Sequence, residues 1–315
     1  MPGDPVLQVV LDRIAAGSRP GVRRDEHVVC LAVEGGAMRG SVSAGMCTAL
    51  EALGLIPAFD RIYGCSAGAL NGAFTAAGQA SSGATLYEDS ANRRYIDVRR
   101  LARGEPAVNL DLLFDELLDR RRPLSSEGLA AGPDLRTLAV SLRTRELHVL
   151  ADLRDHDTAL NAVRASCSVP LLSGGPHRFR GELLVDGGFL ESIPYRAALR
   201  EGATHVLVLR SCAASHRLPQ YRRTTGLAMR VADRTVASLL KARPERYNDE
   251  ADELETLASH PAGHPSVTQV TVQRGLRLLG HVDTDLTQIR TCVRLGMSAI
   301  ASLVTSDARP LGVAA

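Results

Sequence analysis

The hydrophobic pattern alternates short, nearly continuous apolar runs with segments whose apolar residues recur at helical spacing. The run HVVCLAVEGG predicts a strand over 28–34, and its few polar positions are typical of a strand buried on both faces. Segment 39–54 has helical spacing. A second strand over 59–63 runs directly into a second helix over 67–77. This alternation predicts an α/β core with a mainly parallel sheet.

The same pattern continues along the rest of the chain. Further strands are predicted over 135–141, 146–150, 182–185, 205–210 and 267–272. Helices are predicted over 6–15, 158–166, 224–242, 250–258 and 285–304, with another from Pro194 and a mostly helical stretch over 78–129. We divide the chain into an N-terminal helix and linker (1–26), a core (27–212) and a continuation of the same domain (213–315), because no strong linker separates the halves.

Composition excludes several classes of protein. The 315 residues are 45% hydrophobic and 23% charged, which excludes a disordered or fibrous chain. No apolar run reaches the ~18–20 residues of a transmembrane helix, and the first 26 residues lack a signal-peptide pattern. The six cysteines form no C-x-x-C pair, so we expect reduced thiols and no zinc site. These features predict a cytoplasmic protein.

Charge and aromatic content argue against a nucleic-acid partner. The 37 basic residues nearly balance the 35 acidic ones, for a formal net charge of +2. Aromatic residues make up 3% of the chain and tryptophan is absent, so the stacking platforms that bind single strands are missing. Lys241 is the only lysine, which we attribute mainly to compositional bias.

The sharpest local motif is GCSAG, comprising Gly64, Cys65, Ser66, Ala67 and Gly68. It fits G-x-S-x-G, and it follows a predicted strand and opens a predicted helix. Such a turn holds a serine hydroxyl out at the edge of the sheet, and the helix N-terminus favours developing negative charge. The alternative is a tight turn whose serine caps the helix.

A second motif, GGAMRG, lies between the first strand and the first core helix and comprises Gly35, Gly36, Ala37, Met38, Arg39 and Gly40. Its small residues leave backbone N–H groups open, so the loop suits an oxyanion hole or an anion nest. The G-K-[ST] ending of a nucleotide P-loop is missing, and the glycine spacing does not fit a dinucleotide-binding fold.

A third motif, Asp186-Gly187-Gly188, follows the strand LLV. An aspartate at a strand end can face a site at the edge of the sheet and accept a proton from a serine. Alone, this motif is as typical of an ordinary turn. Together, the three motifs supply a nucleophile, a base and oxyanion donors, which are the minimum set for acyl transfer.

GGAMRG, GCSAG and DGG, in this order, resemble the patatin-like phospholipases. The segments SAGALNGAF and ASCSVPLL agree, and the resemblance covers roughly 27–212. It implies a three-layer α/β/α fold and an esterase of lipids with Ser66 as nucleophile and Asp186 as base. It also implies an oxyanion hole at Gly35–Gly40 and no metal or other cofactor. The family usually has a third glycine where this chain has Ala37. Alanine keeps the N–H donor, so activity should survive, but it would be impaired if that residue needs φ > 0.

Three alternatives remain open from the sequence. A Ser-His-Asp hydrolase would draw its histidine from His205 or His216. An acyltransferase would pass the same acyl-enzyme to another alcohol. A binding or regulatory protein would keep the scaffold without the catalysis. The head group, the acyl chain, the bond cleaved and the oligomeric state are not encoded in any of the motifs.

Peripheral contact with a membrane is suggested by arginine clusters. They occur at Arg93-Arg94, Arg99-Arg100-Arg103, Arg120-Arg121-Arg122 and Arg222-Arg223. Solvated surface charge is the ordinary explanation of such clusters, and contact with anionic lipid is the alternative. The amphipathic helix over 110–118 is expected to pack on the core, with a lid or interfacial element as the alternative.

Overall fold

A central sheet organises the protein in a computed structural model, which describes residues 4–170, 172–220, 234–273 and 279–307. The strands are β1 (Val29–Val33), β2 (Arg61–Cys65), β3 (Asp134–Ser141), β4 (Leu147–Leu150), β5 (His177–Phe179), β6 (Glu182–Asp186), β7 (His205–Leu209) and β8 (Ser266–Val270). Their order is β5-β6-β3-β2-β1-β7-β8, with β4 paired to β3. Five adjacent strands, β3, β2, β1, β7 and β8, are parallel, and β4, β5 and β6 pair antiparallel. The predicted mainly parallel sheet is confirmed.

Helices cover both faces of the sheet. They are α1 (Pro5–Ala15), α2 (Ser41–Ala52), α3 (Ala67–Ala76), α4 (Ala80–Ser90), α5 (Leu110–Leu112), α6 (Ser126–Ala131), α7 (His156–Ser166), α8 (Tyr195–Arg200), α9 (Arg234–Ala258) and α10 (Leu286–Asp307). Short 3-10 helices occupy Ala37–Gly40, Ile56–Ala58, Val98–Arg103 and Gly187–Phe189, and a π-helix occupies Leu113–Arg121.

The alternation of side chains along β1 explains the layers. Val29, Leu31 and Val33 join an apolar cluster with residues of α2, α3 and α10 on one face. Cys30 and Ala32 join a second cluster with residues of α8 and α9 on the other face. All five residues of β1 are buried, as the apolar run predicts. The fold is therefore the expected three-layer α/β/α sandwich.

The structure corrects the predicted helices in two places. The two helices predicted over 224–242 and 250–258 are one helix, α9, which continues through Pro244; the part over 224–233 lies outside the described residues. Packing of both halves of α9 on the sheet outweighs the hydrogen bond that the proline removes. The helix predicted over 110–118 packs on the core as expected, but most of it is the π-helix Leu113–Arg121.

Strand boundaries also differ. β2 begins at Arg61, two residues after the predicted start, because Phe59 caps the 3-10 turn over Ile56–Ala58 and donates its amide to the carbonyl of Ile56. The short strand β5 was not predicted; its three residues carry too little pattern to stand out from a loop.

The C-terminal helix α10 packs along α2, which starts from the glycine-rich loop. The two backbones meet at glycines: a Cβ at Gly45 would lie 2.0 Å from the carbonyl oxygen of Val293, and a Cβ at Gly296 would lie 2.0 Å from that of Val42. The close approach excludes any side chain at these two positions. α10 is thus part of the same hydrophobic core as the three motifs.

Gly45→Ala and Gly296→Ala should each lower the free energy of unfolding by about 2 kcal/mol or more, because the new methyl group meets a backbone oxygen that cannot move alone. Urea denaturation of each variant measures the loss. Gly175→Ala is the matched control, since a Cβ there meets nothing within 4 Å. If all three variants unfold at the same urea concentration, the close contact between α2 and α10 is wrong.

Candidate active site

Ser66 lies in a strained turn between β2 and α3. Its φ of 55° and ψ of −128° are unusual for a residue with a side chain, and such conformations cost about 1–3 kcal/mol. Ser66 occupies the N-cap position of α3, yet its hydroxyl caps no amide of the helix. The alternative of an ordinary capping serine is therefore excluded.

The glycines on either side of this turn are required for packing. A Cβ at Gly64 would lie 2.5 Å from the Cα of Ala69, and a Cβ at Gly68 would lie 2.1 Å from the carbonyl oxygen of Val33. The start of α3 is therefore pressed against the ends of β1 and β2. These glycines leave room for neighbouring backbone.

The segment ASCSVP supports the turn from the next layer. The hydroxyl of Ser166, the last residue of α7, accepts a hydrogen bond from the Ser66 amide at 2.9 Å. The same hydroxyl donates to the carbonyl of Leu138 in β3 at 2.6 Å. Ser168, two residues on, accepts the amide of Asp186 through its carbonyl at 2.9 Å. One segment therefore fixes both motifs.

Asp186 ends β6 and is almost fully buried. Its Oδ1 accepts the amide of Gly188 at 2.7 Å and the thiol of Cys65 at 3.7 Å. Burial raises the pKa of Asp186 above its usual value, while a side-chain hydrogen bond with Ser66, the Gly188 amide and the charge of Arg243 counteract that rise. The structure thus brings Ser66 and Asp186 together, and the carboxylate is a stronger base than an exposed aspartate.

The glycine-rich loop has two backbone donors without an acceptor. The amides of Gly35 and Arg39 donate to the carbonyls of Ser192 and Gly36, and that of Met38 donates to the carbonyl of His281. The amides of Gly36 and Ala37 have no acceptor among the described residues. Of the six predicted loop residues, these two offer the open N–H groups.

Ala37 has a positive φ of 49°, and Gly36 before it has a φ of 150°. The left-handed region is unfavourable for alanine by roughly 1 kcal/mol. The departure from the family pattern therefore falls where a glycine would be relaxed. The loop nevertheless adopts this conformation, since flanking contacts hold it.

A buried ion pair supplies those contacts. Glu34, directly before the loop, accepts hydrogen bonds from Arg210 Nε at 3.0 Å and the Ser211 amide at 2.7 Å. Tyr247 donates to the other oxygen of Glu34 at 2.6 Å. Burial raises the pKa of Glu34, but the charges of Arg210 and Arg39 and these hydrogen bonds together lower it to about 2. Glu34 is therefore ionised, and Arg210 is its fully buried counter-charge.

Ser211 connects this ion pair to the glycine-rich loop. Its hydroxyl donates to the carbonyl of Gly35 at 2.8 Å and accepts a hydrogen bond from Arg39 at 3.2 Å. Glu34 and Arg210 are not among the site residues that the motifs predict. The available signal was a charged residue at the end of each of two buried strands, HVVCLAVE and HVLVLR.

The region 213–315, whose role the sequence leaves open, contributes to the site from α9. Arg243 donates to the carbonyl of Gly188 at 3.0 Å. Glu250 accepts the amides of Ser192 and Ile193 at 3.0 and 3.1 Å. Helix α9 therefore fixes the turn that follows Asp186.

His281 also comes from this region, and its exposed side chain lines a cavity beside Ser66. Surrounding protein and the positive charges of Arg39 and Arg243 lower the pKa of His281 to about 4, so the imidazole is neutral at pH 7.

Two cavities of different character meet at Ser66. The first, of about 120 Å³, is almost wholly apolar and is walled by leucines of α4 and of the π-helix, together with Ile96, Val108 and Phe114. The second, of about 530 Å³, is more polar, and Asp186, Arg39 and Arg243 line it. Ser66, Ala37 and His281 line both. The shape suits a molecule with a hydrocarbon part and a polar part joined near Ser66.

The other histidines named by the sequence lie elsewhere. His205 is the first residue of β7, so it lies at the opposite end of the parallel strands from Ser66. Its ring packs edge-on against that of His27. His216 packs edge-on against Tyr247, below the loop. Neither is among the hydrogen-bond partners of Asp186 in the described part of the chain.

One group of side chains in the described ranges has the spacing of a metal site: Asp119, His156 and Asp157. Both ring nitrogens of His156 are already engaged, Nδ1 with the Leu124 amide and Nε2 with Asp119. Helix α7 separates His156 from Ser166 at the elbow by about 15 Å. This group is therefore apart from Ser66 and is explained by its internal hydrogen bonds.

The fold and the site define a class first: an α/β/α protein with a strained serine and a buried aspartate at one edge of a parallel sheet. The family model of the patatin-like phospholipases matches residues 31–199, more than half of the chain. The chain belongs to this family, which is one of lipid acyl hydrolases. No helix within the described ranges is both long and apolar enough to cross a bilayer.

Individual relatives are distant. The uncharacterized protein YjjU of Escherichia coli K12 is 27% identical over 186 residues, which is 58% of this chain and 52% of that protein. The chain therefore spans about half the length of this curated relative. VipD from Legionella pneumophila is 13% identical with a TM-score of 0.46, over 90% of this chain and 67% of that one. A human GIVD cytosolic phospholipase A2 is 16% identical with a TM-score of 0.42, over 72% and 46%.

Glu34→Gln should lower the free energy of unfolding by about 3–5 kcal/mol, because Arg210 would remain buried without its counter-charge. Urea denaturation measures this loss. Glu88→Gln, which removes the carboxylate paired with the exposed Arg290, is the matched control and should cost about 1 kcal/mol or less. Equal losses in both variants would contradict the supporting role of the buried pair.

Proposed function

We propose that the protein is a serine hydrolase that cleaves carboxylic ester bonds of lipids through Ser66 and Asp186. The observation that carries this proposal is what converges on Ser66: a buried carboxylate, two open backbone amides and an apolar cavity. A nucleophile, a base and oxyanion donors at one point are the requirements of acyl transfer. Family membership supports lipids as the source of the ester.

In the first half-reaction the Ser66 hydroxyl attacks the ester carbonyl and gives its proton to Asp186. The carbonyl oxygen becomes an oxyanion, and the amides of Gly36 and Ala37 donate to it. The tetrahedral species collapses to an acyl-serine, and Asp186 returns the proton to the departing alcohol. The raised pKa of Asp186 suits this exchange, because a weak aspartate base would not take a hydroxyl proton.

In the second half-reaction water takes the place of the alcohol. Asp186 accepts a proton from the water, which attacks the acyl-serine, and the same amides stabilise the oxyanion. The fatty acid leaves as Ser66 regains its proton. These steps use side chains, backbone amides and water, so we propose no cofactor.

The different character of the two cavities supports a place for each half of the substrate. We place the acyl chain in the apolar cavity behind Ser66 and the alcohol or lysolipid in the polar cavity. Arg39 and Arg243 line the polar cavity, while Glu34 is neutralised by Arg210 below it. The arginines favour an anionic leaving group, because guanidinium groups match phosphate oxygens.

Ser66→Ala and Asp186→Ala should each reduce kcat/KM for a soluble p-nitrophenyl ester by at least about 10³-fold, since each removes one partner of the proton exchange. Circular dichroism checks that both variants fold. Robust turnover by Ser66→Ala would exclude the proposal.

Histidine variants separate a dyad from a triad. His205→Ala, at the opposite end of the parallel strands, should keep the rate of the unaltered protein. His281→Ala tests the histidine that lines both cavities with Ser66. A loss as large as that of Ser66→Ala would replace the dyad by a triad with His281.

Arg243→Gln should move the acid limb of the kcat/KM profile to higher pH. Asp186 acts as a carboxylate, so activity is lost as pH falls through its pKa; removing the charge of Arg243, which lowers that pKa, makes the loss begin at higher pH. Arg243→Lys keeps the charge and should keep the limb in place. Arg246→Gln, which removes an arginine bonded to the Phe189 carbonyl on the same helix, is the control. A uniform fall in rate with no shift of the limb would show a packing role for Arg243.

A further inference from the structure

The loop over 96–108 rises directly from the wall of the apolar cavity. Its base is closed by a bridge between Ile96 and Val108, and both side chains line that cavity. Asp97 caps the amide of Arg99, and the Asp97 amide donates to the carbonyl of Ala107. The base is thus held in place, and its tip is the 3-10 helix over Val98–Arg103.

The geometry of this 3-10 helix puts two exposed apolar residues in one row. Residues three apart eclipse each other in a 3-10 helix. Val98 and Leu101 therefore form a ridge, with exposed fractions of 51% and 50%, and no residue of this helix is buried. Two of the large exposed hydrophobic side chains of the described chain thus stand side by side, which is unusual for a surface that faces only water.

Arginines flank the ridge on both sides. Arg99 lies in one neighbouring row, and Arg100 and Arg103 form the other. Asp97 pairs with Arg99, Glu105 pairs with Arg100 and Arg103, and Glu116 of the π-helix pairs with Arg94. With Glu116 counted, the five arginines of residues 93–105 face three carboxylates, which leaves a net charge of +2.

The ridge also borders the polar cavity. Leu101 lines that cavity together with Ser66 and Asp186. A surface in contact with the ridge would therefore lie over the entrance through which a lipid reaches the serine.

From this arrangement we propose that the 98–103 ridge docks the protein on an anionic lipid bilayer. Val98 and Leu101 enter the boundary between headgroups and acyl chains, and the flanking arginines contact lipid phosphates. The docking rests on the proposed lipid hydrolase and supplies what that function lacks: a route from the bilayer into the cleft. Charge selects this occupant, because an apolar ridge surrounded by a net charge of +2 matches an anionic bilayer.

The test measures binding apart from catalysis. Ser66→Ala protein is sedimented with vesicles of phosphatidylcholine alone, or of equal parts phosphatidylcholine and phosphatidylglycerol. We expect binding to the mixed vesicles to be at least about 5-fold tighter and to weaken with salt. In this background Val98→Asp should weaken binding about 10-fold, and Arg103→Gln about 5-fold.

Matched controls lie near the amino-terminal ends of β1 and β2, at the opposite end of these strands from Ser66. Val22 is 70% exposed and Arg24 is exposed beside it, next to Arg23, which binds Asp60 before β2. Val22→Asp and Arg24→Gln should change vesicle binding less than about 2-fold. Equal binding by the Val98→Asp and Val22→Asp proteins, or equal binding to both kinds of vesicle, would overturn the docking surface.

Activity with two substrates separates this proposal from the hydrolase itself. With Ser66 intact, Val98→Asp should keep full turnover of a soluble p-nitrophenyl ester and lose vesicle hydrolysis in proportion to binding. A protein that cleaves no ester of either kind contradicts the hydrolase, while the sedimentation result still decides for or against the ridge. Vesicle hydrolysis that is unchanged in Val98→Asp would overturn the docking role.

Discussion

The buried pair of Glu34 and Arg210 is the interaction on which the site depends. It joins the carboxyl ends of β1 and β7, and Tyr247 and Ser211 complete the hydrogen bonds of Glu34. Two charges are costly to bury, and such a pair is weak evidence for stability as such. Here the pair positions the loop. Glu34 directly precedes the glycine-rich loop, and Arg210 directly precedes Ser211, whose hydroxyl donates to the carbonyl of Gly35.

The backbone is strained at two residues of the site, and the surrounding contacts hold it in that conformation. Ser66 and Ala37 both have positive φ. Ala37 follows β1 and Ser66 follows β2, and these two strands are neighbours in the sheet. Unfavourable backbone conformations persist only where the surroundings hold them. Ser166, Ser211 and the backbone contacts of Gly68 hold these two conformations in place.

Much of the core was predictable because parallel strands buried on both faces leave a strong apolar signal. The strands around β1 and the place of Ser66 after β2 follow from that signal. The three-layer arrangement was implied by the family resemblance. The less regular parts were not predictable. The π-helix at Leu113–Arg121 and the passage of α9 through Pro244 are set by packing on the sheet, and local preference opposes both.

The sequence by itself determined the family, the order of elements and the three motifs, since those are encoded by residues close together in the chain. Tertiary structure decided which loop amides stay open, because the Met38 amide is taken by His281, far away in sequence. It also decided that Arg243 and Glu250 contact the turn after Asp186. The same packing places Ile96 in the lining of the apolar cavity and Leu101 in that of the polar cavity. Contacts between distant segments depend on how the layers pack, and no local pattern records that.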